Sequence, residues 1–152
     1  MKTTSFIIIA LALLTSCGSQ PEKTEKQSNT QEKAKEEIPM TCYQYASQGD
    51  TVSLKLVHLG DSYSGSLVYL FKEKDRNMGT IQGVMRGDIL VADYTFNSEG
   101  TKSIRQVAFK KVGNTYVEGY GESVEENGAM KFKDITSLNF GSSIVLQEIA
   151  CQ

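Results

Sequence analysis

The larger part of this chain, residues 40–152, predicts an all-β fold built as an antiparallel up-and-down meander of eight or nine strands. From Met40 onward the composition shifts to Val, Ile, Tyr, Phe, Thr and Gly, and no segment keeps a helical period. Glycine next to Asp or Asn also recurs between short alternating runs, as hairpin turns require. These turns are "QGD" at 48–50, "LGD" at 59–61, "RGD" at 86–88, "VGN" at 112–114 and "ENG" at 126–128.

The segments between these turns are the candidate strands. They are 41–47, 51–58, 62–72, 78–86, 88–97, 102–112, 114–122, 129–133 and 144–151. Alternation is clearest in the second, where Val52, Leu54 and Leu56 share one face. We expect the meander to close into a small barrel, because closure removes exposed strand edges, and a two-sheet sandwich is the alternative.

The first 16 residues have the layout of a signal peptide, with a positive charge at Lys2 and an apolar run of about nine residues. A membrane-spanning helix needs about twenty apolar residues, so a retained transmembrane anchor is disfavoured. The run ends in Leu14-Thr15-Ser16-Cys17, which resembles the lipobox of bacterial lipoproteins. The resemblance implies that Cys17 begins the mature chain and carries acyl chains that hold it on a membrane. An ordinary signal peptide with a cysteine at this place is the alternative.

Residues 17–39 are expected to be the lipidated cysteine and a disordered, charged tether. The segment "GSQPEKTEKQSNTQEKAKEEIP" has no aromatic residue, and Ile38 is its one large aliphatic residue. Such a segment cannot bury enough apolar area to offset the entropy lost on ordering. The predicted organisation is therefore signal peptide 1–16, tether 17–39 and one β-barrel domain 40–152.

The whole arrangement, a lipobox, a charged tether and strands enclosed by "CYQY" and "IAC", resembles small lipoproteins of Bacteroidota. The resemblance implies a place in the cell envelope and no site residue beyond Cys17. In many Gram-negative lipoproteins an Asp directly after the lipidated cysteine favours retention in the inner membrane. This chain has Gly18 at that position, so the resemblance implies the outer membrane. The periplasmic face and the cell surface both remain open.

Cys42 and Cys151 lie near the two ends of the predicted domain. In an exported chain two such cysteines favour one disulfide, here between the first and the last strand, and two free thiols are the alternative. No metal or other cofactor is expected, because His58 is the only histidine and two cysteines leave too few soft ligands.

Charge and motifs also limit the candidate functions. The formal net charge of −2, without a basic stripe, argues against nucleic acid as a partner. The chain has no nucleophile turn, no phosphate-binding loop and no second histidine, so we expect a protein that binds and does not catalyse.

One group of polar residues shares strand faces with apolar side chains. Arg105 shares a parity with Val107 and Phe109, and Glu118 shares one with Tyr116 and Tyr120. Arg105 therefore either points inward or extends to the rim of the barrel. If it points inward it needs a carboxylate partner, for which Glu118 and Glu99 are the candidates. Two interpretations follow. Either Arg105 and Glu118 pair to close the barrel interior, or they form the polar end of an apolar ligand cavity, as in small barrels of lipocalin type. The residues of that candidate site are Tyr94, Arg105, Glu118 and Tyr120.

The sequence therefore predicts a lipid-anchored envelope protein with a binding function. The first hypothesis is a binding module for a small apolar or amphipathic ligand. The alternative is a protein-interaction domain, such as an inhibitor or an accessory subunit of an envelope complex.

Overall fold

The computed structural model describes residues 39–74, 76–141 and 144–152. The predicted signal peptide, Cys17 and the tether as far as residue 38 lie outside the described residues. In the described part the prediction of an all-β antiparallel meander is confirmed. The strands are β1 (Met40–Ser47), β2 (Asp50–Leu59), β3 (Ser62–Leu70), β4 (Asn77–Arg86), β5 (Ile89–Ser98), β6 (Thr101–Val112), β7 (Thr115–Gly119), β8 (Ser123–Glu126), β9 (Ala129–Phe132) and β10 (Val145–Ile149).

Eight of these strands form the closed barrel that the sequence predicts. Neighbours in the barrel follow the order β5-β4-β3-β2-β1-β10-β7-β6, and β5 pairs with β6 to complete the circle. Consecutive strands from β1 to β7 are antiparallel, and β10 pairs antiparallel with both β1 and β7. The alternative of a two-sheet sandwich is therefore not the observed fold.

The core lies inside the barrel and follows the alternation of the sequence. Val52 and Leu54 on β2 are fully buried, as are Tyr94 on β5 and Phe109 on β6. On β4 an inward glycine allows neighbouring strands to approach, since a Cβ at Gly79 would lie 2.1 Å from the carbonyl oxygen of Thr95. Glycines at such places permit the sharp bends that a small barrel needs.

The two ends of the barrel differ in how the strands are joined. At one end, here called the tight end, two-residue turns join β2 to β3, β4 to β5 and β6 to β7. Met40 and Ile149, which begin β1 and end β10, also lie at this end. At the opposite end, here called the cavity end, two-residue turns join β1 to β2 and β5 to β6, and longer connections join β3 to β4 and β7 to β10.

The strand predicted over 114–122 is present but ends three residues early. β7 stops at Gly119, and Tyr120 instead forms an isolated bridge with Asn139. The ring of Phe140 packs against Gly119 so closely that a Cβ there would lie 2.4 Å from it. The chain then forms the β8–β9 hairpin and a short 3-10 helix, Ile135–Ser137, before it returns as β10. The hairpin joins the sheet where Met130 of β9 pairs in parallel with Arg105 of β6.

The structure contains the disulfide between Cys42 and Cys151, whose Cα atoms are 5.2 Å apart. Cys42 lies on β1 opposite Ile149 of β10, so the bond links the first strand to the chain just after the last one. It therefore reinforces the seam at which the two ends of the domain meet.

Candidate functional site

A gap in the barrel wall between β6 and β7 provides the candidate site. β6 has twelve residues and β7 only five, so the two strands pair only from Ala108 and Gly119 toward the tight end. On the other side of this point β6 pairs with β9 instead. The space between the separated strands is a cavity of about 380 Å³. This volume is at the lower end of the range for small-ligand sites in proteins.

The wall of the cavity is mainly apolar and has one polar side. The apolar side chains come from β3 and its end, from β6 and from the β8–β9 hairpin, and they include Phe71, Val107, Met130 and Phe132. The polar groups include those of Tyr69, Arg105, Glu118 and Tyr120. An amphipathic surface of this kind suits a ligand with an apolar body and a polar head.

Three of the four residues that the sequence predicts for a site border the cavity. Arg105, Glu118 and Tyr120 are among its lining residues. Tyr94 is fully buried, and it lies behind the site as a support for Arg105. Tyr120, which is 47% exposed, lies beyond the end of β7.

Aromatic rings hold the guanidinium of Arg105. Its central carbon lies 5.1 Å from the ring centroid of Tyr69 and 5.5 Å from those of Tyr94 and Phe96. Tyr94 and Phe96 stack on one another, with centroids 4.7 Å apart. A cation over aromatic faces is stabilised electrostatically and loses much of its freedom to move. The positive charge is therefore placed in advance at the wall of the cavity.

Glu118 is the one buried charged residue among the described core residues, with 4% of its surface exposed. The hydroxyl of Tyr69 donates a hydrogen bond of 2.6 Å to its Oε1. Burial raises the pKa of Glu118 above its ordinary value of 4.5, and the hydroxyls of Tyr69 and Tyr120 and the charge of Arg105 oppose that rise. Burial likewise raises the pKa of Tyr69 and of Tyr120, with a further contribution from Glu118 in each case. The hydroxyls of Tyr69 and Tyr120 therefore remain neutral donors at neutral pH.

Two polar atoms in this region lack hydrogen-bond partners. The hydroxyl of Tyr94 and the Nε of Arg105 are buried, and neither has a partner among the described residues. Most buried polar groups in proteins are hydrogen-bonded, so an exception calls for a physical explanation. The Arg105 side chain borders the cavity, although its Nε is itself buried.

Sequence reasoning missed several residues of the site. Tyr69 shares a parity with buried Leu67 on β3, and this signal was available. Met130 and Phe132 reach the cavity only because the β8–β9 hairpin folds back beside β6, and no local pattern indicates that placement. His58 is remote from the site, since it stacks on Tyr63 near the tight end.

The described residues show neither a metal-binding cluster nor a spanning helix. No group of three or more His, Cys, Asp or Glu side chains among them is arranged to hold a metal ion. Within the same ranges, no helix is long and apolar enough to cross a membrane.

Comparisons with protein-family models, with curated proteins and with solved structures found no match to this chain. The cavity and its lining residues are therefore the basis for assigning a function.

Proposed function

We propose that this protein is a lipid-anchored lipoprotein of the outer membrane whose barrel binds a small amphipathic ligand without catalysing its conversion. The observation that carries the proposal is the cavity at the gap between β6 and β7, which combines apolar walls with a preplaced guanidinium. Small-molecule sites in proteins commonly have this composition, a mostly apolar surface with a few fixed polar groups.

The construction of the site supports binding more than catalysis. A guanidinium suits the binding of an anion better than proton transfer, and Arg105 is the cationic group of the site. The tyrosines beside it have raised pKa values, and the carboxyl of Glu118 is engaged by Tyr69. General acid–base chemistry needs a group whose pKa is close to the working pH and that reaches the substrate. Glu118 is the one acidic side chain that borders the cavity within the described ranges, and its Oε1 already accepts a hydrogen bond from the hydroxyl of Tyr69, so the site favours binding.

Native mass spectrometry of the domain, released directly from the cell envelope of its own host, tests the binding function. A protease site placed between residues 30 and 31 would release the domain from isolated membranes without detergent. Residues 39–152 hold every barrel strand, the core and the disulfide, so this part is expected to remain folded. We expect an additional mass on the order of a few hundred daltons that leaves on denaturation.

A pair of matched variants assigns that mass to the cavity. Ser123 is exposed and borders the cavity, so the indole of Ser123→Trp is expected to fill it and to eliminate the additional mass. Ser62→Trp places the same ring at an exposed strand position at the tight end and should leave the mass unchanged. A ligand that persists in Ser123→Trp, or a wild-type domain that is released bare, would count against the proposed cavity function.

Membrane attachment is tested at Cys17. Replacing Cys17 with serine is expected to move the protein from the membrane fraction to the soluble fraction and to abolish incorporation of labelled palmitate. The physical reason is the loss of acyl chains, each of which contributes about 0.8 kcal/mol of membrane affinity per buried methylene. Cys151→Ser serves as the control and should stay in the membrane fraction. If Cys17→Ser fractionates with membranes like the wild type, the anchor is elsewhere.

The alternative function, a protein-interaction domain, is favoured by the edge of the sheet. β8 is the last strand in the sheet order, and its four residues are exposed. An unpaired edge strand can accept a strand from a partner. A bare domain in the mass spectrum would direct crosslinking experiments to Val124 and its neighbours on this strand.

A further inference from the structure

The guanidinium of Arg105 indicates the chemistry of the ligand head. We infer that the cavity receives an amphipathic monocarboxylate, with its carboxylate head on Arg105 and its apolar part along Phe71, Met130 and Phe132. This inference rests on the proposed function and specifies its ligand class.

Arg105 is built as a receptor for an acceptor group. Three aromatic rings fix its position, and aromatic faces compensate a positive charge without using its N–H donors. Its Nε has no hydrogen-bond partner in the described part of the chain. That atom is itself buried, so a ligand would pair with the other N–H donors of the guanidinium, and charge-assisted hydrogen bonds there would offset the cost of the unpaired Nε.

A carboxylate fits this position better than other heads. The guanidinium is planar and presents parallel donors, which match the two oxygens of a carboxylate. Arg105 is the one cationic side chain among the described residues that border the cavity. Glu118 already places a carboxyl near this guanidinium, so each further negative charge of the head adds a desolvation cost beside apolar walls, and a singly charged carboxylate is favoured over a doubly charged phosphate monoester.

Glu118 is the negative group that such a head must approach. Its Oε1 accepts from Tyr69, which draws part of its charge toward β3. Because burial disfavours its charged form, Glu118 takes up a proton more readily than an exposed carboxyl, and an arriving anion would favour that protonation further. Glu118→Gln keeps an acceptor oxygen for Tyr69 and removes the charge. This variant is therefore expected to bind a carboxylate at least as tightly as the wild type.

Calorimetric titration of the domain with two probes tests the head group. Decanoate and decan-1-ol share the same tail and differ in charge, and both are used below the concentration at which decanoate forms micelles. We expect the wild type to bind decanoate at least about tenfold more tightly than the alcohol, as a charge-assisted bidentate pair allows. In Arg105→Met the preference for decanoate over the alcohol should disappear, because methionine keeps the apolar stem and removes the charge. Arg86→Met, at an exposed position at the end of β4, should retain the wild-type preference.

The outcomes separate this inference from the proposed function. Equal affinity for both probes in the wild type, or a preference that survives in Arg105→Met, would overturn the carboxylate assignment and leave the apolar cavity as a binding site. If neither probe binds although an endogenous mass is present, the carboxylate class is wrong and the binding function stands. If neither probe binds and the released domain is bare, both proposals fail. Circular dichroism and the intact disulfide verify that each variant is folded.

Discussion

Removing the disulfide is expected to cause the largest loss of stability in this protein. In the double variant Cys42→Ala/Cys151→Ala the free energy of unfolding should fall by up to about 4.7 kcal/mol, the chain-entropy value for a closed loop of about 100 residues. The two cysteines are 109 positions apart, so the bond restricts almost the whole unfolded domain. Urea unfolding of the oxidised wild type and of the double variant measures the difference directly.

The position of the bond adds a local reason for a large effect. β1 pairs with β2 through eight residue pairs but with β10 through only three, and β10 pairs with β7 through three more. The seam around β10 is therefore the most weakly hydrogen-bonded part of the closed barrel, and the disulfide lies beside it. Opening of this seam is expected to precede global unfolding once the bond is removed, and hydrogen exchange at the amides of Val145–Ile149 would detect it.

Reduction of the wild type provides the control. Wild-type protein in a strong reductant should unfold at nearly the same urea concentration as the double variant, because both lack only the cross-link. A difference between oxidised wild type and double variant of less than about 1 kcal/mol would show that the bond does not constrain the unfolded chain as the loop model requires.

Much of this fold can be predicted from local patterns. Alternation of Val52, Leu54 and Leu56 identifies the inward face of β2, and glycine with Asp or Asn identifies the two-residue turns. These signals are local because a strand's inward face and a tight turn depend on residues close together in the sequence. Closure into one barrel follows from edge avoidance as a general principle.

The region after β7 was not predicted, and the reason is tertiary. Residues 114–122 keep the alternation of a strand, yet Phe140 occupies the outer side of Gly119 and Asn139 pairs with Tyr120. A contact between residues some twenty positions apart thus overrides the local preference. The same departure opens the gap between β6 and β7, so the site itself depends on information that no short window contains.

The residues of the candidate site could likewise be predicted only in part from local patterns. The parity of Arg105 and of Glu118 correctly indicates inward faces, but it cannot show that Tyr69 holds Glu118 or that three rings hold Arg105. Tyr94 was grouped with the polar lining, whereas the structure buries its hydroxyl behind the site without a partner. The hydroxyls of Tyr69 and Tyr94 both belong to side chains on inward faces, and only the packed structure shows that one is hydrogen-bonded and the other is not.

The second large effect follows from this difference between two buried tyrosines. Tyr69→Phe is expected to destabilise the domain by about 1.5–3 kcal/mol, because it removes a buried hydrogen bond to the carboxyl of Glu118. Tyr94→Phe is expected to stabilise the domain by about 1–3 kcal/mol, because it removes a buried hydroxyl that has no partner within the described residues. Each change deletes one oxygen from an inward ring, so their opposite signs arise from hydrogen bonding and not from volume.

Thermal and urea unfolding of the two variants should therefore separate them by at least about 2.5 kcal/mol. Tyr63→Phe, on a partly exposed ring that stacks on His58, is the control and should stay within about 0.5 kcal/mol of the wild type. Two destabilised variants would indicate that the Tyr94 hydroxyl makes a favourable interaction in solution. If neither variant changes the free energy of unfolding, the hydrogen bond from Tyr69 to Glu118 does not contribute to stability. The predicted opposite signs would instead establish that the protein retains an uncompensated polar group beneath Arg105, and such a cost is consistent with a region maintained for binding and not for stability.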